Sequence, residues 1–158
     1  LFSGTIADNI RYGKEDADDA EVRRAAETAQ ALDFITEMEG GFDARIAQGG
    51  SNVSGGQKQR LSIARALVRK PEIYVFDDSF SALDYKTDAK LRQALKAETG
   101  NATVIIVAQR VSTVIDADRI IVLEDGRIAG SGTHEQLMQD NAVYREIVAS
   151  QLSEEEIA

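Results

Sequence analysis

Two short apolar runs, EIYVF at residues 72–76 and ATVIIVA at 102–108, flank a segment, DAKLRQALKAE from Asp88 to Glu98, whose apolar residues recur at helical spacing. A strand, a helix and a second strand in that order can share one sheet only as a parallel pair with a crossover, because parallel neighbours need a connection of a dozen residues or more. The runs are β-branched and lack polar alternation, so both strands are expected to be buried on both faces. Helical and strand periods alternate along the rest of the chain with no internal repeat, which predicts an α/β fold.

Around this β-α-β unit the sequence marks other elements. SGGQKQRLSIARALVRK sets Leu61, Ile63, Ala64, Leu67 and Val68 on one helical face, from near Gly56 until Pro71 stops it. DADDAEVRRAAETAQAL from Asp16 places its acids first, the order a helix dipole favours. Gly40, Gly41, Gly49 and Gly50 bracket a loop. Asp125-Gly126 lies between two strand-like runs, a strong hairpin signal. The tail THEQLMQDNAVYREIVASQL reads as two short helices, the first capped by Thr133, and SEEEIA from Ser153 is expected to fray. LFSGTIADNIRYG, taken by itself, reads as a loop.

Composition excludes several functions. With 158 residues the chain is expected to form one domain with a core, and its formal charge of −9 argues against a surface that binds a nucleic-acid backbone. It has no cysteine, hence no disulfide and no thiolate metal site. ATVIIVA falls far short of the roughly 20 residues that cross a bilayer. The apolar start, without an initiator Met, reads as a segment of something longer.

Three stretches carry chemistry. In VSGGQKQRLSIARAL, from Val53 to Leu67, two glycines follow a hydroxyl at a helix N-terminus, which describes either a phosphate-receptive helix end or an ordinary serine cap. In IYVFDD two adjacent carboxylates, Asp77 and Asp78, end a strand, where open α/β sheets bind ligands; the plainer reading is a solvated strand end. SALD, from Ser81 to Asp84, would by itself mean a helix cap.

Together these stretches resemble the nucleotide-binding domain of ATP-binding cassette (ABC) ATPases over essentially the whole chain. The resemblance implies a P-loop NTPase fold with a parallel-sheet core and a signature-helix subdomain, incomplete here because no G-x-x-x-x-G-K-[ST] occurs. By that match residues 1–70 form the helical signature subdomain, 71–132 the core with Walker B, D-loop and switch strand, and 133–158 the C-terminal helices. Ser54, Gly55, Gly56 and Gln57 match the signature that reaches ATP on an opposing subunit, and Asp84 closes the D-loop that touches it. Asp77 matches the Walker B carboxylate that binds Mg²⁺ through water.

Two positions depart from the family pattern. Asp78 stands where active members usually carry Glu, one methylene shorter, and Gln109 stands where a His normally contacts the γ-phosphate. Gln can donate a hydrogen bond but cannot carry a proton near neutral pH. The single histidine, His134, falls on a surface helix in the family pattern, and Gln48 occupies an X-loop place that often holds Glu. LFSGTIADNIRYG and EDGRIAGSGTHEQLM resemble the exporter branch. The resemblance thus implies the degenerate-site subunit of a heterodimeric exporter on the cytoplasmic face of a membrane, with transmembrane domains on the same full-length chain, a second ABC subunit as partner, ATP and Mg²⁺ as ligands, and no nucleic acid. The alternatives are a soluble ABC-type ATPase without membrane domains and a non-catalytic interaction module. Without a P-loop the segment alone is expected to be inactive.

Overall fold

The computed structural model describes residues 1–155. The chain divides into two compact units, Leu1–Val107 and Ala108–Ala158. In the first, β1 (Gly4–Thr5) leads directly into α1 (Ile6–Arg11), followed by α2 (Asp19–Thr28), α3 (Leu32–Glu37), β2 (Arg45–Ile46), α4 (Gly55–Val68), β3 (Ile73–Asp77), α5 (Tyr85–Glu98) and β4 (Thr103–Val107). β1 and β2 pair antiparallel, and β3 pairs parallel with β4 from Ile73↔Thr103 to Asp77↔Val107. The expected β-α-β unit is therefore present.

Capping chemistry explains why the helices begin where they do. At the start of α1 the Thr5 hydroxyl accepts from Asp8 N (3.0 Å) while Asp8 Oδ2 accepts from Thr5 N (2.9 Å). The same reciprocal pairing joins Asp18 with Glu21 at α2 and Ser54 with Gln57 at α4. LFSGTIADNI is thus not a loop: it holds a helix too short to display a period but carrying a capping box. Helix α4 ends at Val68, Lys70 turns left-handed at φ +50°, and Pro71 follows, as expected.

One core unites these elements. Leu61, Ile63, Ala64, Leu67 and Val68 of α4 are buried with Ile6 and Ile10 of α1, Val22, Ala25 and Ala26 of α2, Leu91 and Leu95 of α5, and Tyr74 and Phe76 of β3. The expectation that both strands are covered on both faces fails on one side. Phe76 is 2% exposed but its neighbour Val75 is 64% exposed, and Ile73, Ile105 and Val107 share that open face. The reason is that the helices of this core lie against the Tyr74–Phe76 face, and no described element covers the other.

The second unit contains α6 (Val111–Val114), β5 (Ile120–Glu124), β6 (Arg127–Gly132), α7 (His134–Asp140) and α8 (Ala142–Glu155). β5 and β6 form the expected hairpin, with Asp125 at φ +49° and Gly126 at φ +74°, the paired positive angles of a tight two-residue turn. The register slips between Val122 and Leu123, and Asn141 Nδ2 donates to the carbonyl of the extra residue, Ala129, at 2.9 Å. Thr133 caps α7 as expected. Ser153–Glu155, from the stretch expected to fray, continue α8, and residues 156–158 lie outside the described residues.

Two predictions follow from this packing. At Gly13, just beyond α1, an added Cβ would sit 2.0 Å from the Arg65 carbonyl oxygen and 3.0 Å from Val68 Cγ1 of α4, a clash with backbone that no rotamer relieves. Gly13→Ala should therefore cost about 1–3 kcal/mol, whereas Gly100→Ala, whose Cβ meets only Lys96 O at 3.8 Å, should leave the melting temperature unchanged in parallel thermal denaturation. At α5, Asp84 accepts from Thr87 N (2.9 Å) and Thr87 Oγ1 (2.7 Å). The Thr87 hydroxyl and its backbone N–H hold this carboxyl below the usual range. A depressed carboxyl stabilises the fold above its unfolded pKa and loses that contribution as pH falls through its folded pKa. Asp84→Ala should lower the melting temperature at neutral pH, and the gap from wild type should close as the scan descends below the normal carboxylate range.

Candidate functional site

The N-terminus of α4 and the loop after β3 meet in the first unit. Ser54 caps α4 from an extended conformation (φ −66°, ψ 163°), with its Oγ accepting from Gln57 N at 3.2 Å and its N donating to Gln57 Oε1 at 2.9 Å. The Lys58 N–H is already taken by Ser54 O. That leaves the N–H groups of Gly55 and Gly56 without a partner among the described residues, and the Ser54 hydroxyl hydrogen free to point outward. Gly55 and Ser54 are exposed. With the positive end of the helix dipole behind them, these donors form an anion-receptive surface.

The glycines also admit a close neighbour. A Cβ on Gly56 would lie 3.0 Å from Ala82 O, and one on Gly55 would lie 3.6 Å from Ala82 Cβ. SALD therefore packs against the first turn of α4, and its last residue, Asp84, is the cap of α5.

Asp77 and Asp78 end β3 with both side chains exposed. No hydrogen bond or ion pair engages either carboxylate among the described residues. Asp78 N donates to Val107 O at 2.9 Å, extending the parallel ladder one residue beyond the strand, and the chain then turns left-handed with Asp78 at φ +48°. Among the described residues no group of three His, Cys, Asp or Glu side chains is placed to hold a metal. A single free carboxylate at Asp77 does suit a Mg²⁺ ion that keeps most of its water and takes phosphate oxygens.

Sequence reasoning missed the part played by Gln59. Its Nε2 donates to Asp78 O (3.2 Å) and Ser81 Oγ (3.0 Å), and its Oε1 accepts from Ala82 N (3.0 Å). The signal was available: Gln59 lies four residues after Gly55 and three after Gly56, so all three share the helix face where a neighbouring backbone comes close. Arg60, next along α4, donates to Gln30 O at 2.7 Å and stacks over Phe34 at 4.8 Å, and burial pulls its pKa below the usual guanidinium range.

The other predicted residues lie in different surroundings. Gln109 belongs to the second unit, where its side chain is exposed and its carbonyl accepts from Gln151 Nε2 at 2.6 Å. His134 heads α7 half-buried, with Nδ1 2.9 Å from the Tyr144 hydroxyl and the two rings edge to face. Gln48 is exposed in a short 3₁₀ turn, Gln48–Gly50.

Comparison with known proteins matches this arrangement. The family model described as ABC transporter matches residues 2–81. An uncharacterised ABC transporter ATP-binding protein of Mycobacterium bovis is 51% identical over 154 residues, covering 96% of this chain and 26% of that protein. The Beta-(1-->2)glucan export ATP-binding/permease protein NdvA of Rhodopseudomonas palustris is 44% identical over 158 residues, covering 100% of this chain and 26% of that protein. The solved structure of a bacterial Atm1-family ABC exporter with ATP bound superposes with a TM-score of 0.91 at 41% identity, covering 96% of this chain and 26% of that one. The chain spans about a quarter of the length of these relatives. On the family match, the sequence identities and the shared architecture, the chain belongs to the ABC transporter family and has its P-loop NTPase, ABC ATPase fold.

Proposed function

We propose that the chain is the C-terminal portion of the nucleotide-binding domain of a heterodimeric ABC exporter, coupling ATP binding and hydrolysis to export of a substrate through transmembrane domains on the same full-length chain. It works at the cytoplasmic face of the membrane. The observation that carries this reading is the N-terminus of α4, where Ser54 and Gly55 are exposed, Gly56 is half-buried against Ala82, and the N–H groups of both glycines have no partner among the described residues. Donors left unfilled by their own chain suit a ligand held by another. The glucan-export relative and the ATP-bound exporter support the exporter branch and ATP as ligand.

In this reading residues 1–70 present the signature, 71–132 carry the nucleotide-facing strand ends, and 133–158 complete the domain. Ser54, Gly55 and Gly56 donate to the γ-phosphate of ATP held on the second subunit, with Gln57 bracing Ser54 from within the cap. Asp84 keeps the SALD loop in place as its closing helix cap. On the chain's own side, Asp77 holds Mg²⁺ through water, and Asp78 stands in the place of the general base. Mg²⁺, when bound, neutralises charge on the phosphate oxygens. A carboxylate shortened by one methylene is set back by about an ångström, a displacement that can cost roughly 100-fold in rate. Gln109 can donate to phosphate but cannot hold a proton. The chain's own site is therefore degenerate, and its signature serves the competent site of the partner.

That asymmetry sets an order of sensitivity. In the full-length heterodimer, Ser54→Arg should reduce steady-state ATP hydrolysis by about 100-fold or more, since it removes preorganised transition-state donors from the working site. Asp78→Asn should reduce it by no more than about twofold. Equal losses would mean that the Asp78 site carries comparable turnover.

A second expectation concerns repair. Asp78→Glu with Gln109→His should leave hydrolysis at this site well below that of the competent one, because the partner's signature opposite this site is altered in the same reading. A general base is worth about 100- to 10,000-fold only where the rest of the site is complete. Single-turnover hydrolysis, with the partner's own catalytic glutamate replaced, measures the repaired site alone. Rates near those of the wild-type heterodimer would show that Asp78 and Gln109 were the entire impairment.

A further inference from the structure

Gln59 spends its whole carboxamide on a segment 19 to 23 residues away in sequence and makes no bond to its own helix. A half-buried glutamine serving only to cover the core would face water or a neighbouring turn. This one holds the loop after β3 near both ends, donating to Asp78 O and accepting from Ala82 N. Asp78 is thereby tied through both of its peptide groups, since its N–H donates to Val107 O and its C=O accepts from Gln59 and from Ser81 Oγ. With both peptide planes held, φ stays at +48°, and the direction of Cβ follows from it. Ala82, held by Gln59 Oε1, is also the residue against which Gly55 and Gly56 pack.

We infer that Gln59 is a positioning residue that aims the Asp78 carboxylate and locks the loop after β3 to the first turn of α4, so that the strand end and the signature donors move as one body. Nucleotide bound at one end then orients the donors presented to the opposite subunit. The catalytic half of this inference rests on the ATPase reading proposed above; the mechanical half does not.

Two substitutions separate these halves in the full-length protein assembled with its partner. Gln59→Leu keeps the volume and removes all three bonds, while Gln59→Glu keeps the acceptor for Ala82 N and loses both donors. Hydrogen exchange of a peptide spanning residues 78–83 should rise about fivefold or more in Gln59→Leu, the equivalent of one net hydrogen bond, with exchange within α4 unchanged. In Gln59→Glu the Ala82 amide should stay protected. Gln59→Leu should lose about tenfold to a hundredfold in kcat for ATP while KM moves by less than about threefold, because the Gly55 and Gly56 donors lose their support at Ala82 and misaligned donors weaken the transition state more than the ground state, whereas Gln59→Glu, which keeps that support and disturbs only the Asp78 side, should stay within about twofold. Unchanged exchange over residues 78–83 in Gln59→Leu would overturn the inference whatever the ATPase rate. A lowered melting temperature with kcat intact in Gln59→Leu would show a merely structural glutamine and overturn it too. If the wild-type assembly hydrolysed no ATP, the proposed function would fail, and the exchange measurement would still decide the role of Gln59.

Discussion

Helix α4 has to serve two environments along one axis, and the first unit is arranged around that demand. Its later turns are dry: Leu61, Ile63, Ala64, Leu67 and Val68 are buried against α1, α2 and the strands. Its first turn must stay wet and open, because Gly55 and Gly56 N–H groups left unfilled in a closed core would each cost about 1–3 kcal/mol. The Ser54–Gln57 box marks the boundary between the two regimes, satisfying the groups that would otherwise fray the helix while leaving the two glycine donors without a partner among the described residues. Packing of the later turns thus holds the first turn rigid without covering it.

The same helix also anchors the strand end. A two-stranded sheet is marginal by itself, and β3–β4 leaves Ile73, Val75, Ile105 and Val107 uncovered. What holds it is the opposite face, where Tyr74 and Phe76 stack at 5.9 Å and Phe76 meets Phe80 of the following loop at 5.6 Å. Burial raises the Tyr74 phenol above its ordinary pKa, in keeping with a ring packed into this core. Phe80 draws the loop inward from one side and Gln59 from the other, so the exposed Asp77 and Asp78 are carried on a backbone that is itself fixed.

Local chemistry accounts for what was legible in the sequence. Pro71, Asp125-Gly126 and Thr133 each act through their own dihedral or hydrogen bond, and the elements they delimit are where the sequence puts them. The helix read from Asp16 begins three residues later, because Asp18 is the residue whose carboxylate reaches Glu21 N, and that read from Asp88 begins at Tyr85, because Asp84 is the cap. Helix α1 escaped notice because six residues cannot show a period, though the Thr5–Asp8 pair marks it. The one-sided burial of β3 was illegible for another reason: an unbroken apolar run records what a strand can bury, not which neighbours cover it. The bonds of Gln59 depend on residues 19 or more positions away, beyond any local window.

The backbone at Asp78 bears on why Asp should stand there at all. Left-handed angles cost an L-residue roughly 1–2 kcal/mol, and aspartate, whose short polar side chain can reach nearby backbone donors, tolerates them better than most. Glutamate carries its carboxylate one methylene farther out and loses that local option. Among the described residues the Asp78 carboxylate makes no such bond, so at φ +48° the shorter acid changes its reach toward solvent, and the turn is held through its backbone. With Gln59 and Val107 holding both peptide groups of Asp78, the loop keeps its course whatever the reach of that carboxylate. That course also sets the first turn of α4, since Ala82 of the same loop packs against Gly55 and Gly56.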